Sequence, residues 1–358
     1  MKDQVIISFP GLGIGDFTVS KVAFSIDKLS IVWFIAALVL SAAITAAYIF
    51  YQIKKKGKKF SKDELFSIAL IPAVIDIIVL LLCFISISVR WYGLIICVGM
   101  VTAFCYTLWR AKQAKVSVDD CLDIGLFTIL FGVLGARLYW VIFYGNIHSF
   151  YDIIAVWDGG LAIYGGIICG TLAILGVCRY KKMNFLAFAD MVGPGVMIAQ
   201  AIGRWGNFFN GEAYGGVVAE GSALYFLRMG LYPNNISGVL GMAYVHPTFL
   251  YESLWNILGF VLINLFYKKK KFNGEIALWY FAWYGFGRML IEGLRTDSLM
   301  LGSLRVSQVV GLLCAVGGAA LVIFGRVYYY RKEKAAAAVS AETEQPNETK
   351  ETENGENH

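Results

Sequence analysis

The sequence repeatedly carries apolar runs that are long enough to cross a lipid bilayer, and this feature limits the fold more than any other. A transmembrane helix needs about 17–25 mostly apolar residues. Of the 358 residues, 58% are hydrophobic and 16% are charged, and the mean hydropathy is +0.64. Soluble domains average about 45–50% apolar and roughly 25% charged residues. The sequence therefore predicts an all-α, multi-spanning membrane protein.

About nine transmembrane helices are expected from the apolar runs. They are residues 31–51, 66–87, 91–109, 121–144, 161–178, 188–208, 247–267, 275–293 and 304–328. The loops after the first, third, fifth and seventh runs carry KKKGKK, RAKQAK, RYKK and KKKK. Lysine and arginine concentrate in cytoplasmic loops. We therefore expect the N-terminus outside the cell membrane and the C-terminus in the cytoplasm.

The charge and cysteine patterns argue against several other classes of function. The net charge of +6 comes mostly from the loops on one side of the membrane, so no nucleic-acid partner is expected. All seven cysteines fall in apolar segments without metal-ligand spacing. We expect neither a metal site nor a cofactor.

The front of the chain contains an apparent internal repeat. Residues 30–70 parallel residues 88–128, with Trp33 matching Trp91. The second copy contains the polar run RWYG at 90–93. The first copy has the apolar run VWFI at the matching positions, 32–35. The favoured interpretation is a duplicated helix pair whose first copy has lost its working residues and is dispensable for chemistry. A chance likeness of two helical hairpins is the alternative.

Three parts of the chain are distinguished on this basis. The last part is acidic and poor in apolar residues, which is typical of disorder. The first part (1–87) is an N-terminal segment with the extra helix pair, which is a degenerate duplication of 88–130. The second part is a membrane domain (88–330), and the third is a disordered cytoplasmic tail (331–358).

Three arginines lie inside predicted transmembrane segments: Arg137, Arg204 and Arg288. Each costs about 2.5–3.5 kcal/mol at the centre of an inserted helix. All three fall in the outer half of their segments, at one depth, with acidic and amide residues nearby. The spacing i, i+4, i+8 and i+11 also predicts four residues on one helix face: Tyr284, Arg288, Glu292 and Arg295. A purely structural ion pair is the alternative to a functional site.

Glycines cluster at the same depth, around the run GRWGNFFNGE (203–212) and in GG pairs at 159–160, 165–166 and 215–216. Some are expected to let helices pack closely, and others to interrupt helices beside polar groups. Broken backbone at membrane depth requires a protein interior or a wet cavity. These residues predict a cationic cavity, open to the outer leaflet, for an anionic headgroup.

GRWGNFFNGEAYGG (203–216) resembles the signature of the prolipoprotein diacylglyceryl transferases. The resemblance extends to FPGLGIGDF, RWYG, GARLYW, WDGGLAIYGG, HPTFLYES and YGFGRMLIEGLR, in family order. It implies transfer of the diacylglyceryl group of phosphatidylglycerol to the lipobox cysteine in a preprolipoprotein signal peptide. A thioether forms and glycerol phosphate leaves, as the first step of bacterial lipoprotein maturation. The implied location is the cell membrane, with the active site toward the outer leaflet.

The resemblance also implies roles for individual residues. Arg204 would hold the lipid phosphate, and Arg288, held by Glu292, would stabilise charge on the departing glycerol phosphate. Tyr92, Tyr164 and these three residues are the expected catalytic set. The expected substrate-binding residues are Arg204, Asn207, Glu212, Gly215, Tyr284, Arg137 and Asp158.

The chain departs from the family pattern in two places. Many members have a histidine at the position of Tyr164. A tyrosine hydroxyl, with a pKa near ~10, is a poor general base for a thiol of pKa near ~8.5. Either Tyr164 only positions a substrate, or Arg288 and its neighbours lower the pKa of the thiol. The second departure is the extra front helix pair, because members have about seven spans.

A transporter or channel for an anionic solute is the alternative function. Such proteins also use intramembrane arginines and broken helices, and many are built from two matching halves. The repeat in this chain lacks the polar residues in its first copy. This difference favours the transferase.

Overall fold

The computed structural model describes residues 3–28, 30–56, 61–84, 86–145, 149–156, 159–236, 238–296, 299–302 and 304–343. Within these ranges the chain is mostly helical. The helices are α1 (Ile31–Lys56), α2 (Lys62–Phe84), α3 (Trp91–Gln113), α4 (Val118–Phe143), the short α5 (Tyr151–Ile154), α6 (Ile163–Tyr180), α7 (Phe185–Asn210), α8 (Thr248–Phe266), α9 (Glu275–Glu292) and α10 (Val306–Thr343).

Seven of the described helices are long and apolar enough to cross a membrane, which agrees with a polytopic membrane protein. The other two long helices are α2, with a shorter apolar stretch at Pro72–Leu81, and α9. In α9, three of 18 residues are charged: Glu275, Arg288 and Glu292. The count of nine spans and the orientation of the termini therefore stay predictions.

The expectation of an all-α fold is wrong, because short strands form small sheets between the helices. A four-stranded antiparallel sheet has the order β2 (Ile14–Ser20), β1 (Gln4–Phe9), β5 (Met229–Tyr232) and β6 (Ala243–Val245). Two-stranded sheets pair β3 (Val22–Ile26) with β4 (Ile87–Arg90), and β7 (Met300–Leu301) with β8 (Leu304–Arg305). Val5, Ile7, Leu231 and Val245 form the buried core of the larger sheet. Strands this short lie outside the long apolar runs, where helical periodicity gives no signal.

The strands also divide the N-terminal segment predicted over residues 1–87. β1 pairs with β5, so the first strands join the loop between α7 and α8. β3 and β4 pair from Val22 with Arg90 to Ile26 with Ile87. The α1–α2 hairpin lies between these two paired strands in sequence, and its two helices pack against each other. The helix pair is thus an insertion between neighbouring strands.

Helix α7 positions the functional site, because it packs against α3, α8 and α9. Asn184 caps its start, with its side chain accepting a hydrogen bond from the Ala187 N–H at 3.0 Å. Gly211 ends it in the left-handed conformation, with φ of 63°. Gly206 lies inside the helix, where a Cβ atom would come within 2.8 Å of the Tyr92 ring. Gly206 therefore serves helix packing and does not break the helix.

Candidate active site

Three arginines from different parts of the chain converge on Glu252, a buried carboxylate near the start of α8. Arg204 Nη2, at the end of α7, lies 2.6 Å from Glu252 Oε2. Arg288 Nη1, on α9, lies 2.9 Å from Oε1, and Arg295 Nη1 lies 3.5 Å from the same oxygen. The Glu252 side chain is 4% exposed. A carboxylate this deeply buried must be paired, because an unpaired charge there would be strongly destabilising.

A second buried carboxylate, Glu292, binds two of the same arginines. Arg288 Nη2 lies 2.6 Å from Glu292 Oε2, and Arg295 Nε lies 3.8 Å from it. Arg305 donates a hydrogen bond to the backbone carbonyl of Glu292. We call Arg204, Glu252, Arg288, Glu292 and Arg295 the arginine cluster. It holds three guanidinium groups and two carboxylates.

Local structure explains how these side chains meet. Arg288 and Glu292 are four residues apart on α9, so they share a helix face as predicted. Arg295 lies beyond the end of α9, so the expectation that it continues this face is wrong. A backbone bridge to Gly215 holds it instead, and the Gly216 N–H donates to the Leu294 carbonyl at 2.8 Å.

Gly215 allows this close approach of two chain segments. A Cβ atom at Gly215 would lie 2.7 Å from His246 Cβ and 2.9 Å from the Leu294 carbonyl oxygen. The Gly215 N–H donates to the His246 carbonyl at 2.9 Å. The predicted site residue Gly215 therefore fixes backbone next to the arginine cluster.

Amide side chains link Arg204 to Glu212 in the signature run. Arg204 Nη1 donates to Asn207 Oδ1 at 3.4 Å, and Asn207 Nδ2 donates to Glu212 Oε1 at 3.2 Å. Asn210 Nδ2 donates to the same oxygen at 3.1 Å. The structure thus brings the predicted site residues Asn207 and Glu212 together with Arg204.

His246 lies at the edge of this region, just before α8. Its ring Nδ1 is 3.3 Å from the Tyr251 hydroxyl, and the backbone N–H of His246 donates to the Gly216 carbonyl at 3.1 Å. Burial lowers the pKa of His246 below its usual value, so its imidazole is neutral at neutral pH. A neutral imidazole keeps one nitrogen free to accept a proton.

The predicted tyrosines occupy different surroundings. Tyr92 is at the start of α3 and faces Gly206 of α7, so it lies beside the signature run. Tyr284 stacks on Tyr280 at 5.9 Å, one turn before Arg288 on α9. Tyr164, at the start of α6, packs against Tyr139 of α4 with 6.4 Å between the ring centroids.

Arg137 donates its hydrogen bonds to backbone carbonyls. They run to Asp152 at 2.6 Å, Ile153 at 3.1 Å, Gly159 at 2.5 Å and Gly160 at 3.1 Å. This arrangement fixes the loop between α4 and α6 and uses most of the guanidinium donors. The predicted site residue Asp158 lies outside the described residues.

Sequence reasoning assigned no role to Glu252, the residue at the centre of the cluster. The available signal was its position inside an apolar run, where a carboxylate is costly and requires a partner. Its partners are far away in sequence, so helical spacing could not identify them. Asn210, which donates a hydrogen bond to Glu212, was not predicted either. It is the last residue of α7, a position where a polar residue is ordinary.

Comparison with known proteins identifies the family of the chain. The family model for prolipoprotein diacylglyceryl transferase matches residues 79–324. The chain belongs to the prolipoprotein diacylglyceryl transferase family. Two relatives are each named phosphatidylglycerol–prolipoprotein diacylglyceryl transferase. One, from Streptococcus equi subsp. zooepidemicus (strain H70), is 42% identical over 252 residues, covering 69% of this chain and 92% of the relative. The other, from Streptococcus pneumoniae (strain JJA), is 48% identical over 242 residues, covering 66% and 90%.

Membership of the transferase family confirms the resemblance drawn from the signature run. The names of the relatives also support the expected enzyme class and diacylglyceryl transfer, and they do not favour an anion transporter. The match to the transferase family begins within α2, at residue 79. Most of the α1–α2 hairpin therefore lies outside the part shared with the family.

Proposed function

We propose that this chain transfers the diacylglyceryl group of phosphatidylglycerol to the lipobox cysteine of preprolipoproteins. A thioether forms and glycerol phosphate is released, as the first step of lipoprotein maturation at the bacterial cell membrane. The family match and the names of the relatives support the reaction. The arginine cluster supports the place where it occurs.

The observation that carries this assignment is the convergence of the Arg204, Arg288 and Arg295 guanidinium groups on Glu252. Phosphatidylglycerol has one negative phosphodiester, which clustered guanidinium groups suit as binding partners. Arginine binds phosphate oxygens through two parallel hydrogen bonds. Arg204, bridging Glu252 and Asn207, holds the phosphate, while Asn207 and Glu212 shape the headgroup pocket.

The bond changes explain why several arginines are needed. The cysteine thiolate attacks the glyceryl carbon that carries the phosphate, a carbon–sulfur bond forms, and the carbon–oxygen bond breaks. Its electron pair passes to the phosphate oxygen, so the leaving group gains a second negative charge. Arg288, fixed by both Glu252 and Glu292, stabilises that charge as it develops.

The thiol must lose its proton before it attacks. An unperturbed thiol has a pKa near ~8.5, and a nearby positive field lowers it. The arginine cluster supplies this field, and Tyr164 and Tyr92 position the substrates. This arrangement does not require a histidine at the position of Tyr164.

The outer leaflet is the side on which we place the reaction. The strands near the N-terminus and the loop between α7 and α8 form one sheet, at the same end of α7 as Arg204. The lysine-rich loops after α3, α6 and α8 lie at the other end of the helices. Because basic loops favour the cytoplasm, the site opens toward the outer leaflet, where signal peptides emerge.

The test incubates the purified full chain with labelled phosphatidylglycerol and a lipobox peptide. We expect thioether-linked lipid on the cysteine and release of glycerol phosphate in equal amounts. Glu252→Gln should lower turnover by roughly 10²-fold, because three arginines lose their shared anchor.

Glu275→Gln is the matched control. Glu275 is a buried glutamate at the opposite end of α9, paired with Arg326 Nη2 at 2.6 Å. Turnover per folded molecule should stay near the wild-type value in this variant. Absence of transfer in the wild type, with uptake of an anionic solute into proteoliposomes, would instead establish the transporter alternative.

A further inference from the structure

A cleft lies at the end of the helices opposite to the arginine cluster. It has a volume of about 450 Å³ and lies among the ends of α3 and α8, the start of α7 and the α8–α9 connection. Arg110, Gln113, Tyr267, Lys270 and Asn273 are among its polar lining residues, and Phe188 and Met191 form part of its apolar wall. We call this the basic cleft.

Arg110 is the residue that requires an explanation. It is 5% exposed, and its hydrogen bonds run to neutral groups: the Tyr106 hydroxyl at 2.7 Å, Gln113 Oε1 at 3.0 Å and Asn264 Oδ1. Its guanidinium also lies over the Tyr267 ring, 3.7 Å from the centroid. Among the described residues, no carboxylate forms an ion pair with it. A buried cation without a counter-ion is costly.

The nearby acid, Asp190, is paired with other groups. Lys270 Nζ lies 3.0 Å from its Oδ2, which also accepts the Gly274 N–H at 2.9 Å. Its Oδ1 accepts the Ala277 N–H at 3.0 Å. Asp190 thus fixes the start of α9 and neutralises Lys270. The charge of Arg110 stays uncompensated, so the basic cleft has one excess positive charge.

We propose that the basic cleft binds the phosphate of an anionic phospholipid from the leaflet opposite to the active site. Arg110 has two N–H groups left after its three hydrogen bonds, which suits two phosphate oxygens. Basic pockets between transmembrane helices on the cytoplasmic side bind such headgroups. The apolar wall at Phe188 and Met191 suits the glycerol and acyl part, which free phosphate lacks. This lipid is a ligand that the transfer reaction does not consume.

Gln113→Glu is the variant that tests the proposal. The new carboxylate replaces the Gln113 oxygen that already lies 3.0 Å from Arg110 Nη1, so it supplies the missing counter-ion without changing shape. Asn273→Asp adds a charge to the same cleft from another segment. Lys269→Gln is the control, because it lowers the net charge equally at this end but does not line the cleft.

Native mass spectrometry of the full chain, with dimyristoyl phosphatidic acid added to a neutral detergent, counts bound lipids. The wild type and Lys269→Gln should retain one more lipid than Gln113→Glu and Asn273→Asp. The affinity for that lipid should fall roughly ten-fold or more, as for a lost charge-assisted hydrogen bond. The arginine cluster is identical in all four proteins, so the difference measures the basic cleft alone.

A second arm replaces the lipid by inorganic phosphate and measures the shift in thermal unfolding. A shift that Gln113→Glu abolishes, together with equal lipid counts in all variants, would overturn the lipid in favour of free phosphate. Equal lipid counts without any phosphate effect would overturn the site itself. Unfolding temperatures identify variants that fail to fold, and transfer activity should persist in folded Gln113→Glu.

Discussion

At the scale of single residues, Glu252 sets the geometry of the active site. Its two oxygens contact Arg204, Arg288 and Arg295, and each of these arginines comes from a different turn or element. Removing one partner of a buried ion pair typically costs about 3–5 kcal/mol. The carboxylate therefore holds three like charges together. Under the proposed function, we expect an incoming phosphate to share these arginines with it.

Arg204 and Arg288 should fail differently when each is replaced by lysine. Arg204→Lys keeps the charge but loses the planar two-pronged contact, so phosphatidylglycerol affinity should fall sharply. Arg288→Lys should lower turnover by roughly 10²–10³-fold, more than it weakens lipid binding, because its contact strengthens as the bond breaks. Lipid binding and transfer are measured side by side on both variants.

Arg326→Lys is the matched control for this pair. Arg326 contacts a buried glutamate, Glu275, at 2.6 Å, but at the other end of α9. Binding and turnover should both stay close to wild type. If Arg288→Lys loses only binding, or Arg204→Lys only turnover, the two roles are reversed.

Tyr164→Phe should reduce turnover only modestly, and Tyr164→His should be tolerated. A neutral tyrosine hydroxyl does not serve as an obligatory base for the thiol. The measurement is the rate of transfer to a lipobox peptide, with Tyr139→Phe as a control on the neighbouring ring. A loss of ~10³-fold or more in Tyr164→Phe would match removal of an essential acid or base and would contradict this role.

Much of the site was predictable from the sequence, because its residues lie in one run or on one helix face. Arg204, Asn207 and Glu212 belong to the signature run, and Arg288 and Glu292 are four residues apart on α9. Their common partner was not predictable in this way. Glu252 meets Arg204 and Arg288 only through the packing of α7, α8 and α9, which no local spacing encodes.

At the scale of elements, the α1–α2 hairpin is an insertion between two strands that remain neighbours. Ile26 of β3 and Ile87 of β4 are paired, although the whole hairpin separates them in sequence. Two helices added together leave the orientation of the following helices unchanged. This arrangement explains how a chain of the family can carry extra helices without disturbing the core.

We expect that the hairpin can be excised without loss of transfer. Joining Ile26 to Ile87 through Asn-Gly gives a two-residue β-turn, which suits paired antiparallel strands. The shortened chain should insert and retain turnover within a few-fold of wild type. The measurement is transfer activity per folded molecule.

A chain that begins near Ser86 is the informative comparison. It lacks β1 as well as the hairpin, so it loses the strand that pairs with β5 and the buried side chains of Val5 and Ile7. This truncated chain should be unstable. If the chain that lacks only the hairpin inserts correctly but transfers no lipid, the hairpin has a function.

The long helices were predictable because their apolar runs are longer than a strand or a helix of a soluble domain requires. A helix lies at each predicted run. The strands were not, since pairs such as Ile7 with Leu231 join segments that are remote in sequence. Sheet pairing depends on which segments are brought together, whereas a membrane helix satisfies its own backbone hydrogen bonds.

At the scale of the whole molecule, an odd number of spans should place the two ends on opposite sides of the membrane. In intact cells without a cell wall, an N-terminal epitope tag should bind antibody, whereas a C-terminal tag should bind it only after permeabilisation. The reason is the bias of lysine and arginine toward alternate loops. Detection of both tags from the same side would refute the count of nine.

The pairing of β1 with β5 also sets an order of events during synthesis. Ile7 leaves the ribosome first, but its partner Leu231 follows 224 residues later. At roughly 5–20 residues per second, this interval is about 11–45 s. For that time the hairpin of β1 and β2 has an open edge, which invites wrong partners. Completion of the sheet is therefore a late step of biogenesis. The contact of Val5 with Gly211, at the end of α7, forms in the same step.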